Sequence, residues 1–448
     1  MSSIKLISLV VLLLAATILS PAQSTWSPEV QVKTRIVGNP RISPDGKRIV
    51  YTVNDAVMTA DKSEFVTQIW LASSDGKENN QITFNEKSSS NPKWSPDGNR
   101  IAFTSNRKDN KNNLYVLRVA GGEAEQITDL KSSISDFEWS PDGGWIAYSM
   151  SDAKTDDEEK NDKGKNDYRW VDENQKLGRL YVIPIAKDAN GKREAKKLTS
   201  DNRHVTGFDW SPDGARIVFN HVSGPGANEW PSSDISIVEV ASGKTSSFAA
   251  TAAAESAVQY SPDGKWIAGT ASDLPVRWAQ SYTLRAYPVG GGEPKVMALS
   301  HDAQPNIVGW TPDGRKIVFY ESKGTGTSVY EADVAAGTIK EIKYSNAVIT
   351  AVSMAKDGSA YAFVIQSCEK PPEVAIIRSG AETLTQISRV NSELTKMPFG
   401  KTEVIKWKST DGREIEGLLT YPVGYVAGTK VPFILNIHGG PAGVFQQN

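Results

Sequence analysis

The feature that most constrains the fold is a five-residue motif, an apolar or aromatic residue followed by Ser/Thr-Pro-Asp-Gly, which recurs along most of the chain. Six copies keep this form, and a seventh is degenerate. The copies begin at Ile42, Trp94, Trp139, Trp210, Tyr260, Trp310 and Met354. Proline presets φ, aspartate tolerates the bridge region and glycine supplies a positive φ. Each copy therefore predicts a tight turn between two antiparallel strands.

The spacing of the motif predicts how these turns are organised. A short apolar strand follows each copy, as in Ile101-Ala102-Phe103, and most copies show two further strands. Four strands in about 45 to 50 residues is the period of a propeller blade. One blade cannot bury both of its apolar faces, whereas seven packed radially can. We expect a mainly β chain with a seven-bladed β-propeller over residues 38–395, preceded by an N-terminal segment, residues 25–37. An open β-solenoid with the same turns is the alternative.

Two loops interrupt the regular pattern. Residues 151–176 are too polar to pack and predict a solvated loop, which ends at Tyr168-Arg169-Trp170. The loop over residues 223–231 also combines an acid, Glu229, with an aromatic side chain. These residues either fix their loops to the propeller rim or reach toward a substrate. Arg169 and Glu229 are therefore candidate substrate-binding residues.

The repeat stops after Ser388, and a different pattern follows. Residues 402–421 alternate like a hairpin around Asp411-Gly412. The apolar run Val431–Ile437 predicts a buried strand that breaks at His438-Gly439-Gly440-Pro441. Paired glycines let a backbone approach a ligand closely, and an α/β-hydrolase builds part of its oxyanion hole with N–H groups in such a loop. Residues 396–448 are predicted to be the incomplete start of an α/β-hydrolase domain.

The first 24 residues predict export. Lys5 precedes an apolar run, residues 6–19, and small residues follow, as in a secretory signal peptide cleaved after Ala22 or Ser24. An uncleaved anchor is the alternative. We expect a periplasmic or secreted protein without a membrane span after cleavage. The formal net charge of −2 argues against a nucleic-acid partner. The sequence predicts no metal and no cofactor.

Taken together, these motifs resemble the prolyl oligopeptidase (S9) family of serine peptidases, in its acylaminoacyl-peptidase and dipeptidyl-peptidase branches. The likeness is carried by the repeated turns, by Gly417-Leu-Leu-Thr-Tyr-Pro422 and by residues 432–441, and it covers nearly the whole mature chain. The resemblance implies a propeller that gates access to a Ser-Asp-His triad, so that short peptides are cleaved and folded proteins are not.

The chain departs from the family pattern at the catalytic centre. It contains no G-x-S-x-G motif, and none of its four histidines, His204, His221, His301 and His438, fits the triad. We therefore expect this 448-residue chain to be an inactive N-terminal portion, with the triad beyond Asn448. The resemblance implies that His438, Gly439, Gly440 and Pro441 form the oxyanion-hole loop.

The sequence leaves three hypotheses about the function open. The first is a peptidase for short peptides, with dipeptidyl, acylaminoacyl and endo-type cleavage undecided. The second is a non-catalytic exported propeller that binds a protein partner. The third is an esterase on the same hydrolase fold, because the oxyanion hole serves esters and amides alike. The oligomeric state is left open as well.

Overall fold

The computed structural model describes residues 26–448 except 167, 169, 171–172, 343–346, 382 and 441–442. The predicted signal peptide, Arg169 and Pro441 lie outside the described residues. Within the described part, no helix combines the length and the apolar character that crossing a bilayer requires.

Seven four-stranded antiparallel sheets form the body of the molecule, and each is built from strands that are consecutive in sequence. The strands of blade 1, β1–β4, are Ile36–Ile42, Arg48–Met58, Ser63–Ser73 and Asn79–Gln81. Those of blade 2, β5–β8, are Ser89–Trp94, Arg100–Ser105, Asn113–Arg118 and Glu125–Gln126. Those of blade 3, β9–β12, are Ile134–Trp139, Trp145–Ser151, Gly178–Pro184 and Lys196–Lys197.

The other four blades repeat this arrangement. Blade 4, β13–β16, has His204–Trp210, Arg216–Val222, Asp234–Glu239 and Thr245–Ala249. Blade 5, β17–β20, has Glu255–Tyr260, Trp266–Ser272, Tyr282–Pro288 and Lys295–Val296. Blade 6, β21–β24, has Asn306–Trp310, Lys316–Lys323, Gly326–Asp333 and Thr338–Ile342. Blade 7, β25–β28, has Val348–Met354, Ala360–Ser367, Lys370–Arg378 and Thr385–Gln386. The predicted seven-bladed propeller is confirmed.

Each repeated motif forms the turn between the first and second strand of its blade. In blade 2 the Ser95 hydroxyl contacts the Asp97 carboxylate and accepts from the Arg100 amide at 2.9 Å, while Gly98 adopts a φ of 69°. A Cβ on Gly98 would lie 3.6 Å from the ring of Pro44, in the turn of blade 1. Serine, aspartate, glycine and proline thus each have a separate role, and neighbouring turns touch.

The core lies between the blades. In six blades an aromatic ring on the second strand is completely buried: Tyr51, Phe103, Tyr148, Phe219, Phe319 and Phe363, each at 0% exposure. Blade 5 has Gly269 at this position, and the ring of Tyr287 occupies the space, 3.3 Å from where a Cβ would stand. The blades are therefore held together mainly by the burial of apolar area.

The ring closes between blades 1 and 7 without an exchange of strands. Val37 and Ile42 of β1 share an apolar cluster with Val364 and Ile376 of blade 7. The side chain of Asn391 accepts from the Arg35 amide at 2.9 Å and donates to the Arg35 carbonyl at 2.8 Å. Side-chain packing and an amide clamp therefore hold the closure, in place of a shared sheet.

In the described part of the chain, two α-helices lie outside the sheets. Helix α1, Pro28–Lys33, begins at its predicted N-cap, Ser27, whose hydroxyl accepts from the Val30 amide at 3.3 Å. Helix α2, Asp156–Lys163, lies in the segment that the sequence analysis described only as a solvated loop. A capping box between Thr155 and Glu158 begins it, and this signal could have been read from the sequence. Short 3-10 helices span Ala227–Ser232 and Leu394–Lys396.

The C-terminal part forms a hairpin and an extended segment. Strands β29, Thr402–Lys408, and β30, Glu414–Thr420, pair as predicted. The prediction of a buried strand over Val431–Ile437 is wrong: this run forms no strand, and Ile434 is 87% exposed. An apolar run becomes a buried strand only when neighbouring strands supply ladder partners, and the described residues place none beside it.

Candidate functional site

The loops that join the second and third strands of each blade emerge on one side of the propeller, opposite the repeated turns, because successive strands run antiparallel. We call this side the loop face. It carries the loop with Glu229, in blade 4. Arg169, the other candidate substrate-binding residue, lies outside the described residues.

Glu229 is held within its own loop. Its carboxylate contacts the Ser223 hydroxyl, and its carbonyl accepts from the Ser232 hydroxyl at 2.6 Å. Ser232 in turn accepts from the Ser223 amide at 2.9 Å, which closes a small network. This network supports the reading in which Glu229 fixes the loop to the rim. A carboxylate has further lone pairs, so the same geometry leaves Glu229 able to accept from a ligand.

Two aromatic pairs stand on the loop face near these positions. Tyr168 and Trp170, which flank Arg169 in sequence, meet edge to face at 6.3 Å, and both are mostly exposed. Trp230, beside Glu229, meets Trp278 of blade 5 at 6.2 Å. Trp278 is 66% exposed. Trp278 could not be predicted as a partner of Trp230, because nothing in the local sequence relates its loop to that of Glu229. Exposed aromatic pairs provide flat apolar surface for a ligand.

The hairpin β29–β30 and the last residues are attached to the loop face at blade 6. The Glu416 carboxylate accepts from the Thr325 amide at 3.2 Å and pairs with Lys406 at 2.8 Å. The hydrogen bond from Lys406 lowers the pKa of Glu416, which keeps the carboxylate charged. Gln447 donates its amide to the Thr325 carbonyl at 2.9 Å. The predicted oxyanion loop lies in the chain between these two attachments.

The described part of that loop is open. Gly440 has a φ of 139°, a conformation that favours glycine, and no atom lies within 4 Å of where a Cβ on Gly439 would stand. His438 packs its ring edge to face against Phe445 at 5.4 Å, so it is held as a structural side chain. Within the residues that the structure describes, no hydrogen bond occupies the amide of Gly439 or Gly440.

The inner wall of the propeller carries a set of side chains that the sequence analysis missed. They occupy one equivalent position, directly before the first residue of each motif: Arg41, Lys93, Glu138, Asp209, Gln259, Gly309 and Ser353. Four of the seven are charged. A β-bulge or irregularity interrupts the innermost strand of every blade, as between Ser90 and Lys93 in β5. A bulge changes the direction in which side chains point, and the alternation of apolar and polar residues along a strand does not reveal it.

Several residues at this position bind the next blade. The buried Lys93 ammonium donates to Glu138 at 2.5 Å, to Asp136 at 2.9 Å and to the Phe137 carbonyl at 2.6 Å. Burial alone would lower the pKa of Lys93, but the two carboxylates outweigh that effect and raise it. In blade 7, Ser353 accepts from the Ile42 amide at 3.2 Å. All three donors of the Lys93 ammonium are used, so its charge is compensated locally.

Asp209 has a similar role in blade 4 but a different electrostatic setting. Its carboxylate accepts from the Tyr260 amide of blade 5 at 2.7 Å. Burial raises the pKa of Asp209 to about 7, and the negative charge of Glu138 adds to the rise. Asp209 therefore changes its charge near neutral pH. Among the described residues, no group of three or more potential metal ligands comes together.

Comparisons with known proteins agree with this architecture. A family model described as PD40, the TolB beta propeller domain, matches residues 22–173. Dipeptidyl-peptidase 5 of Porphyromonas gingivalis is 26% identical over 97% of this chain and 68% of the relative. Peptidase YuxL of Bacillus subtilis, itself uncharacterised, is 25% identical over 90% of this chain and 65% of the relative. The chain is a homologue of S9-family peptidases.

Solved structures agree with the propeller at the level of the fold. The acylaminoacyl peptidase of Pyrococcus horikoshii superimposes with a TM-score of 0.65 at 16% identity, over 88% of this chain and 59% of that chain. The propeller domain of the Trilobed protease of Pyrococcus furiosus gives 0.55 at 17% identity, over 80% and 97%. This S9 homologue thus spans about two thirds of the length of the peptidases it matches in sequence, 68% and 65%.

Proposed function

We propose that this chain is the propeller-bearing part of a serine-type peptidase that hydrolyses short peptides. The observation that carries the proposal is one combination: a seven-bladed propeller is followed, in a single chain, by a glycine loop whose amides at Gly439 and Gly440 have no hydrogen-bond partner among the described residues. The relatives that match nearly the whole chain are peptidases, which favours this reaction class over a scaffold function.

The proposed chemistry assigns the glycine loop to the transition state. A peptide carbonyl that is attacked by a serine develops negative charge on its oxygen, and a preorganised N–H stabilises that charge. Loss of one such donor typically costs on the order of 3 kcal/mol in activation free energy. Gly440 contributes through its backbone, because its φ of 139° would strain any residue with a Cβ. The nucleophile, its aspartate and its histidine would come from sequence beyond residue 448.

A labelling experiment tests the reaction class. A fluorophosphonate probe should not label the 448-residue chain covalently, but it should label a longer protein in which a G-x-S-x-G segment follows residue 448. The labelled protein should cleave peptide p-nitroanilides. Labelling of the 448-residue chain at any serine would show that the catalytic centre has been misplaced. Cleavage of p-nitrophenyl esters without cleavage of any peptide amide would favour the esterase reading.

The type of cleavage follows from how the substrate's amino terminus is held. The names of the relatives point to dipeptides released from a free amino terminus or to acylated amino acids. Glu229 is the proposed contact for a free amino group. Glu229→Gln should then raise KM for a dipeptidyl p-nitroanilide about tenfold or more, since a charged hydrogen bond is lost, and leave an N-acetylated substrate unaffected.

Glu239→Gln, at an exposed strand end, serves as the matched control. An equal change for both substrates would mean that Glu229 only supports its loop through Ser223. In that case the amino group is recognised elsewhere, and acylaminoacyl cleavage gains support.

We also propose that the protein is exported, on the basis of the apolar run at residues 6–19. Cell fractionation should find it outside the cytoplasm, and N-terminal sequencing should give a mature chain that begins after Ala22 or Ser24. A mature protein that keeps Met1 in a membrane fraction would support the uncleaved anchor instead.

A further inference from the structure

A pocket of about 490 Å³ lies against the inner wall of the propeller. It spans four consecutive blades, because its lining comes from β1, β17, β21 and β25, together with Tyr320 of β22. This volume is within the range of sites for small ligands. The lining is mostly uncharged, with Asn39, Asn306 and Thr350 as polar groups and Ile307 and Val352 among the apolar ones.

Arg41 is the one charged residue that lines this pocket. At the equivalent position, the side chains of Lys93, Asp209 and Ser353 each bind the next blade. Arg41 differs from these three. Within the described part of the chain, its guanidinium forms no ion pair and no hydrogen bond, and the residue is only half-buried.

The backbone of Arg41 is nevertheless fixed. Its carbonyl accepts from the indole of Trp94 at 2.8 Å, and the residue pairs with Val50 in the β1–β2 ladder. Tyr320 lines the same pocket; burial raises the pKa of its phenol, and the positive charge of Arg41 partly offsets that rise. A cation with five donors is thus presented from a rigid strand into a cavity with apolar walls.

We propose that this pocket binds a carboxylate carried on an apolar body, such as the C-terminal carboxylate of a short peptide or an N-acylated amino acid. The guanidinium matches a carboxylate in geometry and charge, since two parallel N–H groups can bind its two oxygens. The single positive charge of Arg41, which has no partner among the described residues, matches the single negative charge of a carboxylate. The other nearby cation, Lys93, is already neutralised by Asp136 and Glu138, so a phosphate dianion would remain partly uncompensated. The proposal does not depend on peptidase activity.

The test compares two probes that differ only in charge, N-acetyl-leucine and N-acetyl-leucinamide, each titrated into the 448-residue chain by isothermal calorimetry. We expect the acid to bind at least tenfold more tightly than the amide, since a charge-assisted pair is formed. Arg41→Gln should remove this preference, Arg41→Lys should keep part of it, and Arg315→Gln, at an exposed turn, should leave it unchanged. The melting temperature of Arg41→Gln should match the unmodified chain, because no protein partner is lost.

Further measurements distinguish the possible sources of the carboxylate and cover the case in which Arg41→Gln does not fold. Tighter binding of N-acetyl-alanyl-leucine than of N-acetyl-leucine would identify a peptide terminus as the ligand; equal binding would identify a single acylated amino acid. If Arg41→Gln does not fold, Thr350→Leu, at an exposed position in the pocket, should weaken both probes alike. Equal binding of acid and amide, an acid preference that survives Arg41→Gln, or displacement of the acid by equimolar inorganic phosphate would overturn the proposal.

Discussion

At the scale of single residues, the inner wall of the propeller carries charged side chains. Lys93 and Asp209 bind the next blade, whereas the side chain of Arg41 has no partner among the described residues. Indole N–H groups tie four of the wall segments to the blade before them: Trp139 donates to the Lys93 carbonyl at 3.1 Å and Trp310 to the Gln259 carbonyl at 3.2 Å, and Trp94 and Trp210 form the equivalent bonds. Blade 5 has Tyr260 instead of tryptophan, and the carboxylate of Asp209 binds its amide. At the junction of blades 4 and 5, the carboxylate of Asp209 makes the contact that a neutral indole makes elsewhere. The stability of this junction is therefore sensitive to pH.

Asp209→Asn should reveal that sensitivity. A carboxylic acid whose pKa is raised to about 7 in the folded state stabilises the fold fully below pH 4, and this contribution is lost as the pH rises through 7. Asparagine keeps the hydrogen bond from the Tyr260 amide and carries no charge. We therefore expect the variant to be more stable than the unmodified chain at pH 8 by about 1 to 2 kcal/mol, and close to it at pH 4. This figure allows for the partial exposure of Asp209 to solvent.

Urea unfolding at the two pH values measures the difference. Asp61→Asn, in the exposed turn between β2 and β3, is the control and should show the same small effect at both. A stability gain for Asp209→Asn that does not depend on pH would contradict the assignment of a raised pKa to this carboxyl.

At the scale of single elements, the repeated turn is a hydroxyl–carboxylate unit that organises the first hairpin of each blade. In blade 3 the Ser140 hydroxyl donates to Asp142 at 2.5 Å and accepts from the Trp145 amide at 2.9 Å. The hydrogen bond from Ser140 is the main reason why the pKa of Asp142 is lowered. Blade 7 has Ala355 in place of the serine, so its Asp357 accepts from the Ser359 amide without that hydroxyl.

Ser140→Ala should cost about 1 to 2 kcal/mol of unfolding free energy at pH 7, because it leaves the partly buried Trp145 amide without its partner. The sign of the pH dependence follows from the lowered pKa of Asp142: the contribution is present above the ordinary aspartate range and is lost as the pH falls. The cost should therefore shrink below about pH 4. Thermal unfolding provides the measurement, with Ser132→Ala in the loop before β9 as the control. No change at pH 7 would mean that proline and glycine alone define the turn.

The elements also show what a sequence can and cannot predict here. The turns and the blade count follow from the residues themselves, since proline, aspartate and glycine each favour one backbone conformation. The residues of the inner wall could not be predicted, because the bulges before Arg41 and Lys93 interrupt the two-residue alternation on which such predictions depend. Val431–Ile437 could not be placed either, because a strand is defined by its neighbours as much as by its own apolar residues.

The candidate site, too, could be predicted from the sequence only in part. The glycines at 439 and 440 could be singled out from the sequence, because the need for a close backbone approach is a property of the residue type. The pairing of Trp230 with Trp278, and the pocket beside Arg41, depend on which loops and strands the ring brings together. Those contacts join residues that are far apart in sequence, so no local pattern encodes them.

At the scale of the whole molecule, the closure between blades 1 and 7 is the junction on which the ring depends. Asn391 is fully buried, and its side chain makes two hydrogen bonds to the backbone of Arg35. Arg378 adds a hydrogen bond to Ser74 at 3.1 Å. Because no strand crosses this junction, its stability is the sum of side-chain contacts.

Asn391→Ala should therefore destabilise the protein by about 2 kcal/mol, since two partly buried backbone groups of Arg35 lose their partners. Hydrogen exchange should show faster exchange first in β1 and β28, on the two sides of the closure, before the sheets of blades 3 to 5 respond. Asn202→Ala, in an exposed bend, is the matched control. Uniform acceleration across all seven blades would indicate that the ring opens as one unit rather than at this junction.

The four strands of each sheet are contiguous in sequence, and this also has a consequence for how the gene can evolve. Since every four-stranded sheet comes from a single uninterrupted stretch of chain, a tandem duplication of about 50 codons copies one whole blade and divides none. Copies produced in this way can diverge independently. One blade can replace tryptophan by tyrosine, another can lose its turn serine, and a third can present an arginine to a pocket, while the shared architecture persists. A duplication of this length would therefore copy one complete unit of packing.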